Sequence, residues 1–231
     1  MRLIIPAWEF GDIRFEAGLI ETEEELLELC KLRYIAFCQP SYPGDVPRLR
    51  AEDYPDGIER GPEDDYSYNV VAIKVEIGKR DIIGGFRFIP CEQHFFIEGT
   101  QFGGEIIHLP EEHNGESVTP ETTFEASRWW GHPYQLPPQG KESVLISMLL
   151  AEGGQQLSRE LGRKHWFCAI DSSVAKFAKA DGWQIDPIIN GVHQYLNRPT
   201  QVCIIPLGSY NNKCRRTIPT ELLRRRRCNS S

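Results

Sequence analysis

The sharpest pattern along the chain is Thr123 to Trp130, where polar and apolar side chains alternate and end in two indoles. A period of two predicts a strand with unlike faces. Glu125 and Ser127 share one face and Phe124, Ala126 and Arg128 the other, with Trp129 returning to the first. An acid and a guanidinium beside large apolar groups are costly to bury. The plain explanation is a satisfied Glu–Arg pair at a sheet edge; a functional explanation needs partners elsewhere in the chain.

Upstream, Thr22 and Glu25 form a capping box, and Leu26, Leu27, Cys30, Tyr34 and Phe37 recur at helical spacing, predicting a helix from Glu23 to Cys38. Arg33 sits near its end, where a cation suits the helix dipole; it is either a surface cap or a charge facing a ligand. Residues 2–17 allow one early strand. From Gln39 to Asp65 five prolines, three glycines and many acids predict a long loop. Val70–Val75 and Ile82–Ile89 read as an antiparallel hairpin, with Gly84-Gly85 marking a bulge or a close approach. Arg87, between two phenylalanines, projects opposite to them.

Residues 90–120 are mostly irregular, apart from a short apolar piece from Phe102 to Leu109. After the proline-rich stretch 131–140, Glu142 to Leu161 reads as an amphipathic helix burying Val144, Leu145, Met148, Leu149 and Leu157. A buried strand (166–170), a helix capped by Ser172 and stopped by Gly182, and edge strands at 195–196 and 202–205 complete the chain. The expected class is α+β (mixed α/β), a single domain over 1–210 around one largely antiparallel sheet, followed by a basic tail, 211–231. The order also fits the acetyltransferase-like fold, in which strands splay beside a long helix to admit a thioester arm.

Composition narrows the function. The 231 residues carry a net charge of −7 and no apolar run long enough for a membrane span. An acidic body argues against general nucleic-acid binding. The apolar start is too short for an export signal, so a cytoplasmic location is expected. Seven scattered cysteines, without a C-x-x-C pair, point to free thiols, and six dispersed histidines meet no metal-ligand spacing.

Three separated pieces resemble the acyl-homoserine-lactone synthases (autoinducer synthases) and their relatives, the N-acyl amino acid synthases and exosortase-associated acyltransferases. Leu32-Arg33-Tyr34-Ile35-Ala36-Phe37 resembles their L-R-x-x-x-F helix motif. Ile83 to Pro90 resembles v-G-x-x-R-L-x-P, and Phe124 to Trp129 resembles w-E-x-S-R-F. The similarity extends through Cys168 to Trp183. The family's tryptophan after the helix motif is absent from 38–43. Its paired acids match Asp53 with Asp56, or Asp64 with Ser67 in place of the second acid.

The resemblance implies a fold like the GNAT acyltransferases and transfer of a fatty acyl group from acyl carrier protein to an amine. The acceptor is S-adenosylmethionine in the lactone synthases or an amino acid in the relatives, with no tightly bound cofactor. It makes Glu125 the general base. Arg33, Arg87 and Arg128 would hold an acid cluster and fork onto an acceptor carboxylate, while Ser127 would orient Glu125 or reach the thioester. Phe37, Phe102, Trp129, Trp130 and Met148 are candidates for the acyl pocket and equally for plain core. The tail arginines would dock acyl carrier protein or lie solvated. An acetyl-CoA-dependent acetyltransferase stays open, although Gln135 to Lys141 lacks the glycine loop that cradles pyrophosphate. So does a non-catalytic acyl-binding protein.

Overall fold

The computed structural model describes residues 1–10, 13–40, 46–93, 99–102, 104–131, 141–180 and 182–209. The proline-rich stretch 132–140, the side chain of Val144 and the basic tail lie outside them. The first strands are β1 (Arg2–Phe10) and β2 (Ile13–Leu19), an antiparallel pair where one strand was expected. Helix α1 (Glu23–Cys38) follows, its capping box closed by Thr22 Oγ1 accepting from Glu25 N at 3.3 Å. β3 (Tyr68–Glu76) and β4 (Lys79–Pro90) form the expected hairpin. Two short ribbons come next, β5 (Gln101–Phe102) with β6 (Glu105–Ile106) and β7 (Glu112–His113) with β8 (Glu116–Ser117). β9 (Thr123–Gly131), α2 (Lys141–Glu160), β10 (His165–Asp171) and α3 (Ser172–Ala180) lead to β11 (Asp186–Pro187), β12 (His193–Tyr195) and β13 (Arg198–Pro206).

One nine-stranded sheet carries the fold, in the order β1-β2-β3-β4-β9-β10-β13-β11, with β12 also on β13. Among the described residues, only β9 and β10 pair in parallel in it. β13 is therefore an interior strand, not the edge the sequence suggested, because β11 covers its far side; Val202 to Ile205 are buried accordingly. Ser172 begins α3, and the cap is Asp171, whose Oδ1 accepts from Ser173 N at 2.7 Å.

α2 covers one sheet face through Leu145, Met148, Leu149, Leu150 and Leu157, packed on Phe86, Phe88, Phe124 and Ala126. The approach is tight. A Cβ on Gly154 would lie 2.4 Å from Phe88 Cζ, and one on Gly153 2.9 Å from Val70 Cγ1. α1 covers the other face, burying Leu26, Leu29, Cys30, Phe37 and Cys38 against Val71, Ile73, Ile82 and Trp130. Gly84-Gly85 makes room for both layers. A Cβ on Gly84 would meet Ile146 of α2 at 2.9 Å, and one on Gly85 would meet the Trp130 indole at 2.7 Å. Close packing, not a ligand, accounts for these two glycines.

Candidate active site

β9 departs from strict alternation at one residue. Gly85 pairs with Trp130 and Arg87 with Ser127, so Phe86 alone faces both Arg128 and Trp129. This is a β-bulge, and Arg128 occupies it at φ 55°, a left-handed conformation that non-glycine residues rarely adopt. The extra residue reverses the expected faces. Arg128 joins Glu125 and Ser127 on the α1 side, and Trp129 moves to the α2 side, its ring 4.7 Å from that of Phe86. The sequence expectation of Arg128 opposite Glu125 fails because period-two counting assumes one residue for each partner residue.

Beneath β9 the charged groups close into a buried network. Arg33 lies on the inward stripe of α1 with Cys30 and Phe37, so it is neither a surface cap nor exposed to a ligand. Its Nη1 and Nη2 fork onto the Asp64 carboxylate at 2.7 and 2.5 Å, and its Nε is 2.7 Å from Glu59 Oε2. The other Glu59 oxygen lies 2.9 Å from Arg128 Nε and Nη2. Arg87 Nη1 reaches Glu63 at 2.9 Å and Asp64 at 3.3 Å, and its Nε donates to Ser127 Oγ at 3.1 Å. Three guanidinium groups thus hold three carboxylates, and Ser127 fastens the cluster to the β9 wall.

Burial opposes charge at Asp64, Arg33 and Arg128, and pairing overrides it. Asp64 is held at about 2 by Arg33, with Arg87 and the Gly61 N–H assisting. Burial would lower the pKa of Arg33 and Arg128, but Asp64 and Glu59 raise Arg33, and Glu59 raises Arg128. Both stay charged.

The network underlies a cleft. β9 and β10 pair at Thr123–His165, Phe124–Trp166 and Glu125–Phe167, and then part although both strands continue. The gap opens to both sheet faces. On the α1 side its walls are Glu125, Ser127, Arg128, Phe37 and Arg48, faced by Tyr195, Leu196 and Arg198. On the α2 and α3 side the lining is apolar: Phe86, Ala126, Trp129, Cys168, Ile170 and Val174. Burial raises the Tyr195 phenol above its ordinary value, with Arg128 and Glu125 acting on it in opposite directions.

The predicted residues therefore divide. Glu125, Ser127, Arg128, Phe37 and Trp129 line the cleft; Arg33, Asp64 and Arg87 brace it from below. Phe102 stands behind the wall, its ring 4.8 Å from that of Tyr195. Trp130 and Met148 belong to the two cores. Asp53 and Asp56 stand apart and exposed: Asp53 pairs with Arg50 at 2.8 Å and Asp56 caps Ile58 N. Sequence reasoning missed Glu59, Arg48, Tyr195 and Arg198, and singled out Glu63 only as part of the acidic run Glu63-Asp64-Asp65, whose acids read as solvated or as site residues. For Glu59, the available signal was its place in a loop that returns to the motif helix.

No protein-family model and no curated protein sequence matches the chain. Solved structures do. The crystal structure of the AHL synthase LasI is similar at 15% identity and TM-score 0.59, over 88% of this chain and 94% of that one. BjaI, described as a CoA-dependent acyl-homoserine lactone synthase with SAM and isopentyl-CoA, is similar at 16% identity and TM-score 0.57, over 90% and 86%. A putative N-acetyltransferase from Lactobacillus plantarum follows at 11% identity and TM-score 0.50, over 84% and 98%. This chain, a mixed α+β sheet with one splayed parallel pair, has the fold shared by the acyl-homoserine-lactone synthases and the N-acyltransferases.

Proposed function

We propose that the chain is an N-acyltransferase that moves an acyl group from a thioester to an amine. The observation that carries this is the parting of β9 and β10 beyond Glu125 and Phe167, with an acid on one wall and an apolar opening behind it. A thioester lying across the gap would place its acyl chain toward Phe86, Trp129 and Ile170 and its carbonyl against β9. An α-amine is mostly protonated near neutrality, so it needs a carboxylate before it attacks; Glu125 takes that proton, directly or through water. Nitrogen then bonds to the carbonyl carbon, the C–S bond breaks, and the thiolate takes up a proton. Backbone N–H groups of β9 past the last β10 pair stabilise the transient oxyanion. The buried arginine network keeps this wall in place, so the tetrahedral state is met without reorganisation.

S-adenosylmethionine is the acceptor we place first: once its nitrogen is acylated, its carboxylate oxygen attacks Cγ, the Cγ–S bond breaks and methylthioadenosine leaves, giving an acyl-homoserine lactone; an amino acid, which is acylated only, is the alternative. The donor is acyl carrier protein, or coenzyme A as in the description of BjaI. The test is thiol release from both donors against S-adenosylmethionine and a panel of amino acids, with mass spectrometry of the product. Acyl transfer to an amine supports the reading. Failure of every pair, with the donor bound but uncleaved, leaves a non-catalytic acyl-binding protein.

A further inference from the structure

The apolar opening of the cleft ends on a floor of aromatic rings. Phe86, Ala126, Trp129, Cys168, Ile170 and Val174 line it from β4, β9, β10 and α3, and among the described residues none of the lining comes from α2. What separates the opening from α2 is the ring layer. Phe86 stands at its front, its ring 4.3 Å from that of Phe88, 4.7 Å from Trp129 and 5.4 Å from Trp166. Behind it, Phe88 and Trp166 lie 5.2 Å apart, and Trp166 stacks on Trp183 at 5.4 Å.

This layer has no room to recede. Gly154 of α2 presses on it from the far side, where a Cβ would lie 2.4 Å from Phe88 Cζ and 3.0 Å from Trp166 Cζ2. Trp166 Nε1 donates to the buried Ser158 Oγ at 2.9 Å, which fixes the plane of the indole as well as its position. Rings packed this closely leave no passage for a chain between the sheet and α2. The bulge at Arg128 narrows the front as well, because it turns Trp129 to this side of the sheet beside Phe86.

We propose that Phe86, backed by Phe88 and Trp166, closes the acyl chamber, so that the protein prefers short acyl donors, butanoyl and hexanoyl, over decanoyl and longer ones. This rests on the acyltransferase reading and narrows its donor. Each methylene that enters an apolar site leaves water with a gain in affinity of about four-fold. Once the chain meets the floor, further carbons double back toward the mouth and the gain stops.

The experiment runs a series of thioesters from butanoyl to dodecanoyl, on coenzyme A and on acyl carrier protein, against a fixed acceptor. In the wild-type protein kcat/KM for the donor should peak at butanoyl or hexanoyl and fall by about ten-fold or more for decanoyl. Phe86→Ala should move the peak to octanoyl or beyond, and Phe86→Leu should move it less far, because each removes ring volume at the front of the floor. Acceptor KM should stay the same in both. Truncating a core ring destabilises, so unfolding midpoints are measured alongside, and the milder Phe86→Leu carries the test if the alanine variant does not fold. A wild-type protein that uses dodecanoyl as well as hexanoyl would overturn the proposal and leave acyl transfer intact. A folded Phe86 variant with the wild-type optimum would overturn it too. If no thioester is turned over, calorimetric dissociation constants of the same series decide the question. Affinity that stops rising at hexanoyl supports the floor, and affinity that climbs through to dodecanoyl overturns it. Absence of binding by every thioester overturns the acyltransferase reading and the proposal together.

Discussion

Arg128 Nε and Nη2 both lie 2.9 Å from one oxygen of Glu59, and the left-handed bulge at Arg128 is what brings them together. In a regular strand that guanidinium would enter the apolar layer under α2. The bulge instead turns it into the network and leaves Trp129 to fill the apolar side. Backbone strain at one residue thus divides the cleft into a charged and an apolar opening.

Glu59→Gln should be among the most damaging changes to stability. It leaves Arg33 and Arg128 in the interior with one fewer charge between them, and breaking a buried pair costs about 3–5 kcal/mol. Urea unfolding should show the loss as a lower midpoint. A change below about 1 kcal/mol would mean that Glu59 does not bridge the two arginines.

Glu125→Gln keeps the shape of the side chain and removes its charge. Turnover should fall by about 10²–10⁴-fold, with the midpoint of unfolding and donor binding nearly unchanged. Thiol release measured from pH 6 to 9 is the check, and wild-type rates throughout would remove Glu125 as the base.

Gly154→Ala tests packing away from the chemistry. The added methyl meets Phe88 Cζ at 2.4 Å, so α2 or the ring must shift, at about 1–3 kcal/mol. Melting temperature should drop while acceptor KM holds, and an unchanged melting temperature would contradict the contact.

Acid should destabilise the fold in two stages. Burial, with His113 nearby, lowers His165 below its ordinary 6.5, so the folded state resists its protonation. The stability tied to neutral His165 is complete above about pH 6.5 and is lost as pH falls toward the lower folded value. Asp64 acts later: its contribution is complete above about pH 4 and disappears as pH falls through about 2. Unfolding midpoints from pH 7.5 down to 5 should decline, and His165→Gln should flatten that decline. A wild-type protein with constant midpoints over that range would contradict the first stage.

Much of the frame was legible in the residues. Apolar positions at helical spacing marked α1 and α2, alternation marked β9, and the hairpin of β3 and β4 followed from two apolar runs with a turn between them. Arg33 could have been read as buried, because it falls on the same stripe as Leu26, Cys30 and Phe37. These features depend on dihedral preferences and face periodicity, which near neighbours in sequence set. The partnerships of the charges are different in kind. Nothing in the acidic loop distinguishes Glu59 and Asp64, which are buried, from Asp53 and Asp56, which face solvent. Nor does Leu196-Asn197 resemble the glycine turn that would have announced the β12–β13 hairpin carrying Tyr195 and Arg198. Local pattern was enough for helices, strands and the inward stripe of α1. The bulge at Arg128, the choice of acids and the pinning of Asn197 to Pro47 arose from long-range closure; a buried polar group's partner is selected only when folding takes both groups out of water.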